Sequence, residues 1–267
     1  MKILNGSDLA GFIKERQAGQ VRGLRQAEGI IPKLAIIVTI DHPAIDVYVR
    51  MKQRYGSDIL ADVAVRRVNQ KEVPALITQL NADDSVHGII VQLPLEDPIE
   101  TDAIVDLVAP EKDVDALGKN ASLDPATPLA ILWLLAGYNV DLQGKEIVLV
   151  GRGKLVGAPL ERMLRASGQD VRVLDSSHHV ATELKTADVI ITATGTPGLI
   201  TADMIKQGAV VVDAGTASEQ GKIVGDLAPD VYERDDLTIT PTKGGVGPLT
   251  ICALFDNVIR AARARVG

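Results

Sequence analysis

Short apolar runs alternate with amphipathic stretches along almost the whole chain. Residues 34–40, 63–68 and 88–92 are short runs rich in aliphatic and β-branched side chains, the pattern of strands. Between them, residues 44–55 and 71–80 space their apolar side chains three and four apart, which predicts helices. Pro74 falls in the first turn of the second helix, where a missing N–H removes no intrahelical bond. This βαβαβ order predicts a parallel sheet. Thr127-Pro128 then reads as a cap followed by proline at the first helical position, opening an apolar helix over 129–136 that links two lobes.

A second series follows, with strands predicted at 147–150, 171–174, 189–194 and 209–213 and near 238–240. The last element, 249–264, has helical spacing at Ile251, Leu254, Phe255, Val258 and Ile259. There is no internal repeat, low-complexity tract or long linker. The predicted fold is α/β: two α/β lobes, the second a Rossmann-type nucleotide-binding lobe, with a cleft between them. The first lobe is placed at 1–122 and is joined by a C-terminal helix, 247–267. The second is placed at 123–246.

Composition narrows the function classes. A net charge of −7 argues against nucleic acid or an anionic membrane as partner. No stretch reaches about 18 uninterrupted apolar residues, and residues 1–11 lack the apolar run of a secretory signal, so a soluble cytoplasmic protein is expected. Cys252 is the one cysteine, which excludes an intrachain disulfide and a cysteine-based metal cluster, and no metal is expected. Its apolar neighbours suggest a buried helical thiol.

The strongest chemical signal is the segment 145–159, KEIVLVGRGKLVGAP. An apolar strand runs into a glycine turn at Gly151, Gly153 and Gly157, and a helix with Leu160, Met163 and Leu164 follows. That order carries bare backbone N–H groups and the positive end of a helix to a diphosphate. The spacing, GxGxxxG, is one residue longer than the commonest dinucleotide fingerprint. Tyr48 and Lys52 stand four apart on a predicted helix and share a face. Either Tyr48 packs on the core while Lys52 reaches water, or both line a pocket with Lys52 as a proton carrier. Gln92 ends the strand GIIVQ, where polar residues of open α/β sheets face a ligand. Asp113 and Asp115 lie in a predicted loop, either as solvated acids or as acceptors for a hydrogen-bond-donating ring. Gly244, Gly245 and Gly247 crowd the loop 240–250, allowing close backbone approach or positive φ.

Taken together, YVRMK (48–52), VHGIIVQLPL (86–95), PEKDVD (110–115), Thr127-Pro128, VGRGKLVGAP (150–159) and PTKGGVGPLT (241–250) resemble bifunctional methylenetetrahydrofolate dehydrogenase/cyclohydrolase. The resemblance spans roughly residues 32–263. It implies hydride transfer from 5,10-methylenetetrahydrofolate to NAD or NADP, then hydrolysis of the methenyl product to 10-formyltetrahydrofolate. It also implies a homodimer. By resemblance Lys52, Gln92, Tyr48 and Asp115 are catalytic. Lys52 moves protons in the hydrolysis and Gln92 tunes it, while Tyr48 packs on the folate and Asp115 holds the pterin. Leu93, Gly245, Pro248 and Thr250 complete the substrate set. Cofactor contacts fall to Gly151, Arg152, Gly153, Val156, Gly157, Asp175, Ser176, Thr194 and Gly195.

Six positions depart from the family pattern. Ile45 stands where serine is usual, Ala116 replaces the glycine of DVDG, and PATPLA puts Ala126 and Ala130 in place of cysteine and glycine. Gly153 replaces serine in GRSxxVG, and Lys243 replaces proline. These changes leave room for a same-fold dehydrogenase without the hydrolytic step, or for a silent folate- or nucleotide-binding paralogue. The retained Lys52 and Gln92 favour the bifunctional enzyme. Asp175 lies 24 residues after Gly151, just past a predicted strand, where an acid commonly accepts from the ribose diol of NAD. Arg152, Ser176 and Ser177 are the counterweight, as groups suited to the 2′-phosphate of NADP. The expectation leans slightly to NAD.

Overall fold

The computed structural model describes residues 1–175, 180–219 and 222–265. Along the chain, strand β1 (Lys2–Ile3) leads into helix α1 (Gly6–Glu28), followed by β2 (Lys33–Val38), α2 (Pro43–Asp58) and β3 (Asp62–Arg67). Then come α3 (Val73–Ala82), β4 (Gly88–Val91), α4 (Thr101–Val105) and α5 (Ala126–Gly137). The next series is β5 (Ile147–Val150), α6 (Gly157–Ala166), β6 (Val171–Leu174), α7 (Val180–Glu183), β7 (Val189–Thr192) and β8 (Val210–Asp213). A hairpin of β9 (Ala217–Glu219) and β10 (Lys222–Val224), strand β11 (Thr238–Ile239) and helix α8 (Val246–Arg263) complete the described chain.

The chain divides into two units. One comprises Met1–Ala10 and Thr127–Thr250; the other comprises Gly11–Ala126 and Ile251–Gly267. The second carries a parallel three-stranded sheet of order β3-β2-β4, as the βαβαβ pattern predicts. Its core joins Ala35 and Ile37 of β2, Ile89 and Val91 of β4, and Val73, Ile77 and Leu80 of α3. The first carries a parallel six-stranded sheet of order β1-β11-β8-β7-β5-β6. All four residues of β5 and of β7 are buried, as strands covered on both faces must be. Truncating such a side chain, Ile190 for example, costs about 2–5 kcal/mol.

Several boundaries differ from the sequence reading. Residues 1–10 group with the six-stranded unit and not with the first lobe, because β1 pairs with β11 and Ser7 N–H donates to Gly244 O at 3.0 Å. Helix α1 was not apparent in the sequence. Its inward positions Gln17, Val21 and Leu24 keep helical spacing, but the first is a buried polar residue and four glycines interrupt the segment. Gln17 is satisfied within its unit: its Nε2 donates to Cys252 O at 2.8 Å and its Oε1 accepts from Tyr55 Oη at 2.7 Å. Helix α5 begins at Ala126, one residue before the predicted cap, so Thr127 and Pro128 both lie in its first turn. Helix α8 begins at Val246, inside the predicted glycine-rich loop.

Candidate active site

The three-stranded unit brings an amine, an amide and a carboxyl to bear on one another: Lys52, Gln92 and Asp115. Lys52 lies on α2, one turn beyond Tyr48, and its Nζ donates to Gln92 Oε1 at 2.7 Å. Because an ammonium only donates, the Gln92 atom facing it is the oxygen. The Gln92 amide then donates from Nε2 to Leu93 O at 3.0 Å, so both ends of that side chain are held. Gln92 directly follows β4, and its own N–H donates to Ile37 O at 2.9 Å. Tyr48 is 39% exposed, so it does not pack into the core.

Asp115 is held by a backbone braced from two sides. Ile89 N–H donates to Lys112 O at 2.8 Å, tying residues 112–113 to β4 by a parallel bridge. Asn257 of α8 donates from Nδ2 to Val114 O at 2.9 Å. Lys112 is fully buried, and its Nζ donates to Leu80 O, Asn81 O and Asp83 O at 2.8–2.9 Å. It thereby caps the C-terminus of α3 with a positive charge. Asp113 is buried too, accepting from Gly118 N–H at 2.8 Å, so the first acid of the pair shapes the loop. Ala116 follows Asp115 at φ 54°, the left-handed region that glycine occupies without strain.

The electrostatics follow from burial and from the mutual influence of two opposite charges. Burial lowers the pKa of Lys52, and the charge of Asp115 opposes that shift. Burial raises the pKa of Asp115, and Lys52 opposes it in turn. Each charge therefore moderates the desolvation of the other, leaving an amine readier to lose its proton than an exposed lysine.

The six-stranded unit presents the glycine turn at the carboxyl ends of β5 and β6. Gly151 has φ 97°, and a Cβ there would lie 2.7 Å from Ala193 O. A Cβ on Gly157 would collide with the carbonyl of Gly151. Both positions therefore require glycine. Nothing lies within 4 Å of a Cβ placed on Gly153, so the middle of the turn is open. Val156 stands at the N-cap of α6 and has no side-chain acceptor to offer the first N–H groups of that helix. An open turn leading to a helix start without a side-chain cap fits a nucleotide diphosphate.

Register puts Arg152 and Asp175 at the same corner. Val150 pairs with Leu174, and Gly151 N–H donates to Leu174 O at 2.8 Å. Asp175 is exposed. Arg152 is engaged by α6: its Nε donates to Glu161 Oε2 at 2.8 Å, and Glu161 also accepts from Arg165. Ser176 and Ser177 lie outside the described residues. Thr194 and Gly195 lie beyond the end of β7, which stops at Thr192. The Thr194 N–H leaves the ladder to bond a carboxylate, Asp226 Oδ2, at 2.7 Å. Gly195 has φ 68°.

The remaining substrate candidates belong to the same unit. Gly245 is buried under the start of α1, where a Cβ on Gly6 would collide with its carbonyl. Pro248 lies in the first turn of α8, and Thr250 Oγ1 donates to Val246 O at 3.4 Å. Sequence reasoning missed Asp226, which accepts from Thr194 N–H, Asp213, which accepts from Asp226 N–H, and Lys112, which ties the loop carrying Asp113 and Asp115 to the end of α3. The available signal was an acid next to a small residue or glycine at a strand end, in DAG (213–215) and GD (225–226).

Comparison with known proteins agrees with both halves. Residues 4–115 match the model for the tetrahydrofolate dehydrogenase/cyclohydrolase catalytic domain, and residues 125–266 match that for its NAD(P)-binding domain. The bifunctional protein FolD of Staphylococcus aureus (strain Newman) is 37% identical over 281 residues, covering 100% of this chain and 98% of its own. The bifunctional enzyme FolD of Campylobacter jejuni, a methylenetetrahydrofolate dehydrogenase/cyclohydrolase, superposes with a TM-score of 0.92 at 38% identity, over 99% of each chain. The Trypanosoma brucei methylenetetrahydrofolate dehydrogenase-cyclohydrolase, solved with NADP and an inhibitor, superposes with a TM-score of 0.91 at 29% identity, over 99% and 98%. The chain belongs to the tetrahydrofolate dehydrogenase/cyclohydrolase family and carries both its catalytic and its NAD(P)-binding domains.

Proposed function

We propose that Lys52 is the proton carrier in a two-step folate reaction. The chain oxidises 5,10-methylenetetrahydrofolate with NAD(P)+ and hydrolyses the methenyl product to 10-formyltetrahydrofolate. The observation that carries the role of Lys52 is its 2.7 Å bond to Gln92 in a partly buried position where its pKa is lowered. As a neutral amine it accepts a proton from water as the C–O bond forms at the methenyl carbon. As an ammonium it returns a proton to the departing ring nitrogen as the C–N bond breaks. The second proton of the water passes to solvent. Proton transfer by a positioned side chain contributes about 10²- to 10⁴-fold.

Gln92 holds the amine in place through its oxygen. Asp115 accepts from pterin N–H groups, and the proximity of Lys52 supports its ionised form. Tyr48 stacks on the folate from its exposed position on α2, with Leu93 beside it, and Gly245, Pro248 and Thr250 complete the substrate contacts. When bound, the nicotinamide supplies the hydride acceptor. The chain contributes Gly151, Gly153, Val156 and Gly157 for the diphosphate, with Thr194 and Gly195 on the neighbouring turn.

For the cofactor we favour NAD+. Asp175 is exposed beside the glycine turn, and Arg152 already has Glu161 as partner, which weakens its hold on a 2′-phosphate. The relative from Trypanosoma brucei was solved with NADP, so both cofactors belong in the test. A homodimer is part of the same reading, with exposed Val47 and Met51, one turn apart on α2, as apolar surface for it to cover. So is a cytoplasmic location; among the described residues no helix is long and apolar enough to cross a membrane.

One spectroscopic assay tests the reading. Methylenetetrahydrofolate with NAD+ or NADP+ is expected to give methenyl absorbance that then decays faster than the blank. No absorbance would mean a silent paralogue, and undiminished absorbance a dehydrogenase alone.

A further inference from the structure

The turn that follows β7 is held by a buried carboxylate. Asp226 is fully buried and accepts three hydrogen bonds: from Thr192 Oγ1 at 2.5 Å and Thr194 N–H at 2.7 Å on Oδ2, and from Thr196 N–H at 2.9 Å on Oδ1. Thr192 is the last residue of β7 and is itself fully buried. The carboxylate therefore fixes residues 192–196 from one side, on both of its oxygens. A second carboxylate fixes the first. Asp213, at the end of β8, accepts from Asp226 N–H at 3.1 Å, Leu227 N–H at 3.2 Å and Gly215 N–H at 2.9 Å. The close approach needs glycine on both sides. A Cβ on Gly215 would collide with the Asp226 carboxylate, and one on Gly225 with that of Asp213.

The turn so fixed is the one against which the glycine turn rests. Ala193 N–H donates to Val150 O at 2.9 Å, and the Ala193 carbonyl faces Gly151, where a Cβ would come within 2.7 Å. The two turns sit beyond the carboxyl ends of adjacent parallel strands, where open α/β sheets bind ligands. Displacing residues 193–196 would displace the backbone behind Gly151.

We propose that Asp226 is a positioning residue for the nicotinamide cofactor: it preorganises the Thr194–Thr196 turn, and with it the glycine turn, without touching the ligand. The inference rests on the dehydrogenase reading above. A neutral amide cannot do the same work. In Asp226→Asn the single oxygen serves two donors at the Oδ2 position, and the amide nitrogen meets the Thr196 N–H head-on. The turn must shift to relieve that.

The test uses the two activities as internal controls for each other, since hydrolysis of supplied methenyltetrahydrofolate needs no nicotinamide cofactor. Asp226→Asn is expected to raise the KM and the directly titrated Kd for NAD+ and NADP+ by tenfold or more. Its cyclohydrolase kcat/KM should stay within twofold of wild type. Thr192→Val removes one donor to the same carboxylate without changing side-chain shape. It should raise cofactor KM about threefold with cyclohydrolase unchanged, and it decides the question alone if Asp226→Asn does not fold. Cofactor affinity unchanged in the folded variants overturns the proposal, as does an equal fall in both activities. A wild-type protein that binds neither NAD+ nor NADP+ overturns the dehydrogenase reading first, and this inference with it.

Discussion

Lys52 Nζ and Gln92 Oε1 lie 2.7 Å apart, tying the amine of α2 to the residue that directly follows β4. Gln92 is itself held by donating to the Leu93 carbonyl, so it cannot follow Lys52 if that side chain moves. The lysine is thus placed by the sheet and not by its own flexible stem.

This pairing makes the pH dependence of hydrolysis tunable from Gln92. In Gln92→Ala the ammonium loses an acceptor, its pKa falls further, and the limb of the cyclohydrolase pH–rate profile set by Lys52 moves to lower pH. In Gln92→Glu a carboxylate favours the ammonium, and the same limb moves to higher pH. Rates measured from pH 6 to about 10 check this. A limb unmoved in both variants would mean that it does not report Lys52.

Ala116 sits next to Asp115 with φ 54°. A side chain in that region costs about 1–2 kcal/mol, against a smaller entropic penalty for glycine. Ala116→Gly is therefore expected to stabilise the protein by about 0.5–1 kcal/mol, raising the thermal midpoint by about 1–4 °C. Calorimetry showing a lower midpoint would contradict the left-handed conformation.

His87 is buried, and its Nδ1 accepts from Lys33 N–H at 3.1 Å. Burial lowers its pKa, with Arg265, Lys112 and Lys33 adding to the shift. The folded state thus refuses a proton that the unfolded chain takes up below about pH 6.5. Stability from this source is complete above that pH and declines as pH falls through the window beneath it, by at most about 1.4 kcal/mol per pH unit. Urea midpoints between pH 5 and 7.5 should show the decline, and His87→Asn, which keeps an acceptor for Lys33 N–H, should flatten it. Equal slopes in both proteins would assign the decline to other groups.

Cofactor choice is expected to turn on Asp175. Wild type should show the higher kcat/KM with NAD+, and Asp175→Ser should shift the ratio towards NADP+ by about tenfold, roughly 1.4 kcal/mol. A wild type favouring NADP+ by that factor would contradict the assignment, and an unshifted variant would remove Asp175 from it.

What the sequence revealed and what it hid have physical causes. The inner strands were legible because a parallel strand covered on both faces must be an unbroken aliphatic run, as in β5 and β7. The glycine turn was legible because Gly151 and Gly157 have no room for a side chain. Helix α1 was not, because its inward face includes Gln17, whose amide is satisfied by Cys252 and Tyr55, residues far away in sequence. The three-residue strands β9 and β10 are too short for any period to register. In the site, Lys52 and Gln92 could be proposed singly, but their bond spans 40 residues and exists only in the fold. Asp113 and Asp115 looked alike in the sequence. Only the fold distinguishes the loop-shaping acid, which accepts from Gly118 N–H, from the one coupled to Lys52.

The most direct test of the central claim is Lys52→Met assayed for both activities in one preparation. With supplied methenyltetrahydrofolate, cyclohydrolase activity should fall by about 100-fold or more, the loss expected when a proton carrier is removed. With methylenetetrahydrofolate and its preferred cofactor, the same protein should still form methenyltetrahydrofolate within several-fold of the wild-type rate and then accumulate it, because hydride transfer needs aligned rings and no protein base. Near wild-type hydrolysis by Lys52→Met would contradict the assignment of Lys52.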